Sequence, residues 1–190
     1  MKSHNISPLG QVYLSDGNLF SETEIDVTLI AVEHLHPHVE TFQLDANSHV
    51  KVLIQYSCHC WTCGWDDTLH GEQTRFLDHA QPRAFDPTRF NASINLSNLM
   101  RGLPQNRIFI TQSDRNYGCY NATLADDDGH FYTAYFTVRM KKGKFDGIRH
   151  KFVLFVESAY TKTQQEPGMK TSFRAVIGKA REGKMVKYRS

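Results

Sequence analysis

The chain has 190 residues, 40% apolar, 12% aromatic and 22% charged, with six prolines and twelve glycines, a composition that excludes a disordered or fibrous protein. The net charge of +2 hides a division: residues 1–85 carry 4 Lys+Arg against 11 Asp+Glu, and residues 86–190 carry 18 against 9, so the halves stand at −7 and +9. The longest apolar run, Phe152 to Val156, is five residues and the next, Leu29 to Val32, is four, which excludes a membrane-spanning helix of about 20 apolar residues.

Residues 1–20 include Asp16 and two glycines and have no apolar stretch of the signal-peptide kind, so a cytoplasmic protein is the expectation. The segments Gln11 to Ser15, Ile25 to Val32, Val39 to Leu44 and Val50 to Tyr56 are rich in Val, Ile, Leu, Tyr and Phe and are separated by turn signals. They read as a β-meander. Residues 58–85 show no clear period. Asp86-Pro87 then supplies an N-cap and a first-turn proline, and Phe90, Ile94, Leu96, Leu99 and Met100 form an approximate helical stripe ending at Gly102, so one helix is expected over about 87–101.

Strand signals return at Arg107 to Gln112, Cys119 to Ala125, His130 to Met140, His150 to Tyr160 and Phe173 to Lys179, with Asp128-Gly129 and Lys142-Gly143 as tight connections and Met185 to Tyr188 as a last short strand. The expected class is α+β, mostly antiparallel sheet in two meander segments with one main helix. The charge division suggests an acidic, histidine-rich segment at 1–85 and a basic helix-plus-meander segment at 86–190, which could also share a single core.

Four cysteines, Cys58, Cys60, Cys63 and Cys119, could hold a structural zinc tetrahedrally. Only Cys60 and Cys63 have the two-residue spacing of a zinc knuckle and a partner pair is missing, so ordinary reduced cysteines and a reactive thiol stay open beside the metal. His34, His36 and His38 alternate at a strand end, a geometry that could chelate a metal or form a solvent-exposed turn.

From Arg139 to Ser190 there are 14 Lys+Arg and 4 Asp+Glu interleaved with aromatic residues, the footprint of a phosphate-binding surface. Arg139, Lys141, Lys142, Arg149, Lys179 and Arg181 are the candidate nucleic-acid contacts, with RNA the favoured partner. Lysines on the solvent face of a sheet would give the same count without a ligand. Base stacking could add to phosphate contact: period two buries Tyr132 and Phe136 and leaves Phe131 and Tyr135 for it.

No phosphate-loop lysine motif, dinucleotide glycine fingerprint, nucleophile elbow or paired-histidine protease helix is present. A catalytic site would therefore be assembled from strand residues, with His150 or Glu157 as general acid or base and Arg174 among the cations stabilising a phosphate. The helix followed by a basic antiparallel meander is similar in outline to the small metal-independent ribonucleases of bacterial toxins, over about residues 86–190. The readings that follow are a nucleic-acid-binding module, a module for an acidic protein surface or a second copy of the chain, a ribonuclease, and a zinc-stabilised domain.

Overall fold

The structure, a computed structural model, describes residues 2–184 except 7–11, 15–18, 21, 26–27, 32, 72–74, 79–80, 112–118, 126–128 and 166–167. Two sheets carry most of it, with a separate hairpin of β4 (Glu22–Ile25) and β5 (Thr28–Ala31). The smaller sheet has six strands in the order β3-β2-β1-β9-β10-β8, where β1 is Lys2–Ile6, β2 Val12–Leu14, β3 Leu19–Phe20, β8 Thr62–Gly64, β9 Arg75–Asp78 and β10 Gln81–Phe85. Strands β8 to β10 thus lie in the stretch that has no period in the sequence.

The larger sheet has seven strands in the order β15-β11-β12-β13-β14-β7-β6, with β6 His38–Asp45, β7 Ser48–Tyr56, β11 Ile108–Ile110, β12 Tyr120–Ala125, β13 Phe131–Phe145, β14 Ile148–Lys162 and β15 Met169–Thr171. It is antiparallel except where β14 runs parallel to β7, so the expected α+β class holds and purely antiparallel pairing does not. Alternate residues of this sheet enter one core: Val50, Val52, Ile54 and Tyr56 from β7, Phe152, Leu154 and Val156 from β14, and Tyr132, Ala134 and Phe136 from β13. That core extends from Leu35 to Ala180 and takes side chains from both charge halves.

Three helices cover this inner face. α1 (Pro87–Ser93) begins at the expected cap, where the Asp86 carboxylate accepts from the Arg89 backbone N–H at 3.0 Å. A break at Ile94 and Asn95 separates it from α2 (Leu96–Arg101), so the single expected helix is two. The break has a packing reason. Leu96 lies six residues after Phe90, out of step with a 3.6-residue period, and re-phasing at Ile94, which is 56% exposed, lets Phe90 reach the core while Leu96, Leu99 and Met100 are buried.

The segment 173–179, expected as a strand, is helix α3 (Phe173–Arg181). Ser172 caps it by accepting from the Ala175 N–H, and Phe173, Val176, Ile177 and Ala180 recur at i, i+3, i+4 and i+7 and are buried. Its Phe173 ring lies 4.7 Å from that of Phe42. Lys142-Gly143 is likewise no turn: β13 runs through it, and the reversal falls at Asp146 (φ 44°) and Gly147 (φ 77°), both left-handed as a type I′ hairpin requires. The expected strand at 185–188 and Asp128 lie outside the described residues. Among the described residues no helix is long and apolar enough to cross a membrane.

Candidate functional site

The face of the large sheet away from the helices carries the charge. Thr41 pairs with Lys51 and Gln43 with His49, on the face opposite to Phe42 and Val50. Lys51 and Lys151 immediately precede the paired Val52 and Phe152, so they lie side by side on β7 and β14. On the other flank of β14 the register shifts: Phe152 faces Met140, but His150 faces Gly143. One extra residue on β13 therefore places both Lys141 and Lys142 opposite Lys151, and the next pair outward is Lys144 with Arg149.

The result is a row of lysines across three adjacent strands, Lys51, Lys151 and Lys141 with Lys142, flanked by His49, Arg149 and Lys144. All of these side chains are exposed. A cleft of about 490 Å³ lies here, lined by Thr41, His49, Val50, Lys51, Lys142, Gly143, Arg149, His150 and Lys151, with no carboxylate among them. Like charges facing one another across strands destabilise a sheet. An anion seated between them would reverse that cost.

The other cations expected as contacts lie elsewhere. Arg139 is on the same outer face one pair further along the hairpin, where its charge acts on Glu157. Lys179 and Arg181 are on α3, packed on the inner face, and Lys179 is 3.6 Å from Glu182. Arg174, also on α3, is 3.4 Å from Asp45.

The structure does not assemble His150, Glu157 and Arg174 into one site. His150 and Glu157 are seven residues apart on one strand, about 23 Å at 3.3 Å per residue. The His150 ring is buried on the inner side, with Gly143 directly over it, and its Nδ1 lacks a hydrogen-bond partner. Glu157 is the extra residue of a second register shift, opposite the Tyr135/Phe136 step, and accepts from the Thr137 hydroxyl at 3.3 Å. Partial burial holds its carboxyl above the ordinary range.

Of the stacking candidates, Tyr132 and Phe136 are in the core as expected. Tyr135 is buried as well, stacked on Tyr160 at 5.5 Å with the Lys162 ammonium over both rings, so it offers no open platform. Phe131 is half-buried.

A second polar cluster sits where β7 ends. Ser57 donates its backbone N–H to the Val156 carbonyl at 2.9 Å, and Cys58–Cys60 form a single 3₁₀ turn capped by the Ser57 hydroxyl. His59 Nε2 lies 2.7 Å from an Asp78 carboxylate oxygen on β9, and burial lowers the His59 pKa below its usual value. The ligand atoms of Cys58, His59 and Asp78 lie within 4.8 Å of one another. Arg83, on β10, donates from Nε to the Thr62 hydroxyl and from Nη2 to the Thr62 carbonyl, both at 2.8 Å.

The four cysteines do not come together as one ligand set. Cys60 is fully buried with its Sγ 4.0 Å from the Val156 carbonyl, and Cys119, the residue before β12, points its Sγ at the Tyr120 carbonyl, 3.8 Å away. Cys63 Sγ is 3.6 Å from His70 Nε2, and because His70 Nδ1 accepts from the Asp66 N–H, the Nε2 proton faces the sulfur. Burial raises the pKa of all four thiols, Cys58 to about 12 and Cys119 to about 11, so none is an activated nucleophile.

The three alternating histidines also part. His34 Nε2 is 2.7 Å from the buried Ser93 Oγ, while His36 is exposed and its carbonyl lies 3.1 Å from His38 Nδ1. The Ser93 hydroxyl donates to the Phe90 carbonyl at 2.6 Å, so its proton points away from His34, and the pair ties the 3₁₀ turn Glu33–Leu35 to α1 instead of forming a base-activated nucleophile.

A family model described as the YjaZ family matches residues 22–181, and the chain belongs to that family. No curated protein and no solved structure matches the chain.

Proposed function

We propose that this member of the YjaZ family binds nucleic acid, with RNA the favoured partner, by laying the phosphate backbone across the outer face of the seven-stranded sheet. The observation that carries the reading is the cross-strand row of Lys51, Lys151, Lys141 and Lys142 beside a cleft that no carboxylate lines. Four lysines at neighbouring positions cost stability unless anions come between them. The lining has no Phe, Tyr, Trp or amide side chain, so recognition rests on phosphate charge rather than on base readout. The reading extends to binding alone, since His150, Glu157 and Arg174 sit apart.

The test is a titration of labelled, mixed-sequence single-stranded RNA between 50 and 200 mM salt. Four contacts from Lys51, Lys142, Arg149 and Lys151 give a slope of log affinity on log salt of about −2.8, or roughly a 50-fold loss over that range. The double variant Lys142→Ala, Arg149→Ala should fall to a slope of about −1.4 and roughly a 7-fold loss. No binding at 50 mM by the parent protein, or an unchanged slope in the double variant, overturns the proposal.

A further inference from the structure

We infer that Cys58, His59 and Asp78 form a site for one divalent transition-metal ion of the zinc class, distinct from the basic sheet face. Their sulfur, nitrogen and oxygen atoms all lie within 4.8 Å of one another. A tetrahedral ion with bonds of about 2.0–2.3 Å holds its ligand atoms roughly 3.3–3.7 Å apart. Occupancy therefore asks the His59–Asp78 contact to open from 2.7 Å and the sulfur to draw in by about 1 Å at most, adjustments within side-chain reach.

The backbone carrying two of the ligands is already fixed. The Cys58 carbonyl accepts from the Trp61 N–H at 3.1 Å and the Thr62 hydroxyl at 2.8 Å, the His59 N–H donates to the Ser57 hydroxyl at 3.2 Å, and the His59 carbonyl accepts from Arg89 Nη1 at 3.3 Å. The third ligand ends strand β9, where Asp78 pairs with Gln81 of β10. Such outer contacts orient ligands and set affinity in metal sites.

Charge and access also fit. A thiolate from Cys58 and the Asp78 carboxylate together balance a divalent ion, and the mixed S, N and O donors suit a borderline metal. The nearby Arg83 guanidinium is directed to Thr62 and leaves the three ligand atoms unoccupied by it. Cys58 is buried, but the His59 and Asp78 side chains are 30% and 24% exposed, so the site opens to solvent on the side from which an ion would enter. Three protein ligands leave the fourth position to water, the arrangement of reactive rather than purely structural zinc sites.

Cobalt(II) added to the purified chain reads the site directly, because a thiolate ligand gives a sulfur-to-cobalt charge-transfer band. The expected result is a band saturating at one cobalt per chain and displaced by zinc. Cys58→Ser should abolish it and Asp78→Asn should weaken cobalt affinity about tenfold or more. Cys63→Ser and Cys119→Ser should leave it intact. Far-ultraviolet circular dichroism checks folding, and if Cys58→Ser fails to fold, His59→Gln and Asp78→Asn decide. Absence of the band in the folded parent chain, its survival at full affinity in Asp78→Asn, or its loss in Cys119→Ser overturns the inference.

Discussion

Lys151 sits between like charges on both flanks, with Lys51 on β7 and the bulged pair Lys141 and Lys142 on β13, so removing its charge should stabilise the free protein. At about 6 Å in water each like-charged pair costs roughly 0.7 kcal/mol. Three neighbours amount to about 2 kcal/mol, which screening with a Debye length of about 8 Å at physiological salt reduces to about 1 kcal/mol. Lys151→Thr should therefore raise the Tm by about 2–4 °C for a chain of this size. Thr is also the better strand residue, a gain that does not depend on salt. The assay is thermal unfolding followed by circular dichroism at low and high salt. The gain should be largest at low salt and should shrink as salt is added, while RNA affinity falls in the same variant. A gain that is equal at both salt concentrations, or a lower Tm at low salt, would show that the lysines do not face one another and would remove the basis of the proposed anion site.

Two further outcomes test the hairpin. A Cβ placed on Gly143 would stand 2.8 Å from His150 Nε2 and 2.9 Å from its Cε1, against a buried ring, so Gly143→Ala should cost about 1–3 kcal/mol in chemical denaturation. Glu157 holds its proton more tightly folded than unfolded, so its ionisation opposes folding above its folded pKa, and the penalty disappears as pH falls to the ordinary value of 4.5. Glu157→Gln, which keeps an acceptor for Thr137, should thus stabilise the protein at neutral pH and make no difference well below pH 4.5, as urea titrations at the two pH values would show.

The strands β6, β7, β12, β13 and β14 were legible because each is a long apolar alternation bounded by turn residues. Helix α3 was hidden by its own composition. Val176 and Ile177 suggest a strand, and only the spacing of Phe173, Val176, Ile177 and Ala180 behind the Ser172 cap marks a helix. The Asp146-Gly147 pair was a stronger hairpin signal than Lys142-Gly143, since Asp tolerates the left-handed conformation and Lys rarely does.

The candidate sites were legible as composition and illegible as geometry. A count of lysines shows a basic segment, but the single residue inserted between Met140 and Gly143 decides which of them face Lys151, and nothing in the local sequence marks it. The turn Cys58-His59-Cys60 draws attention as a motif, yet the carboxylate beside it comes from Asp78, brought there by strands with no periodic signal. Cys119 had suitable chemistry and the wrong place in the fold.

The parallel ladder of β7 and β14 joins residues 52–56 to residues 152–156, a separation of 100 positions. During synthesis the β6–β7 hairpin is therefore finished long before the strand that completes its sheet, and β7 must wait with an open hydrogen-bonding edge and the apolar row Val50, Val52, Ile54 and Tyr56 uncovered. Closing so long a loop is slow, and a nascent chain in that state is a target for chaperones and for mispairing with another copy. The same separation makes any chain that stops before residue 152 a hairpin without a partner, so the order in which this protein is made bears on its yield as much as the final packing does.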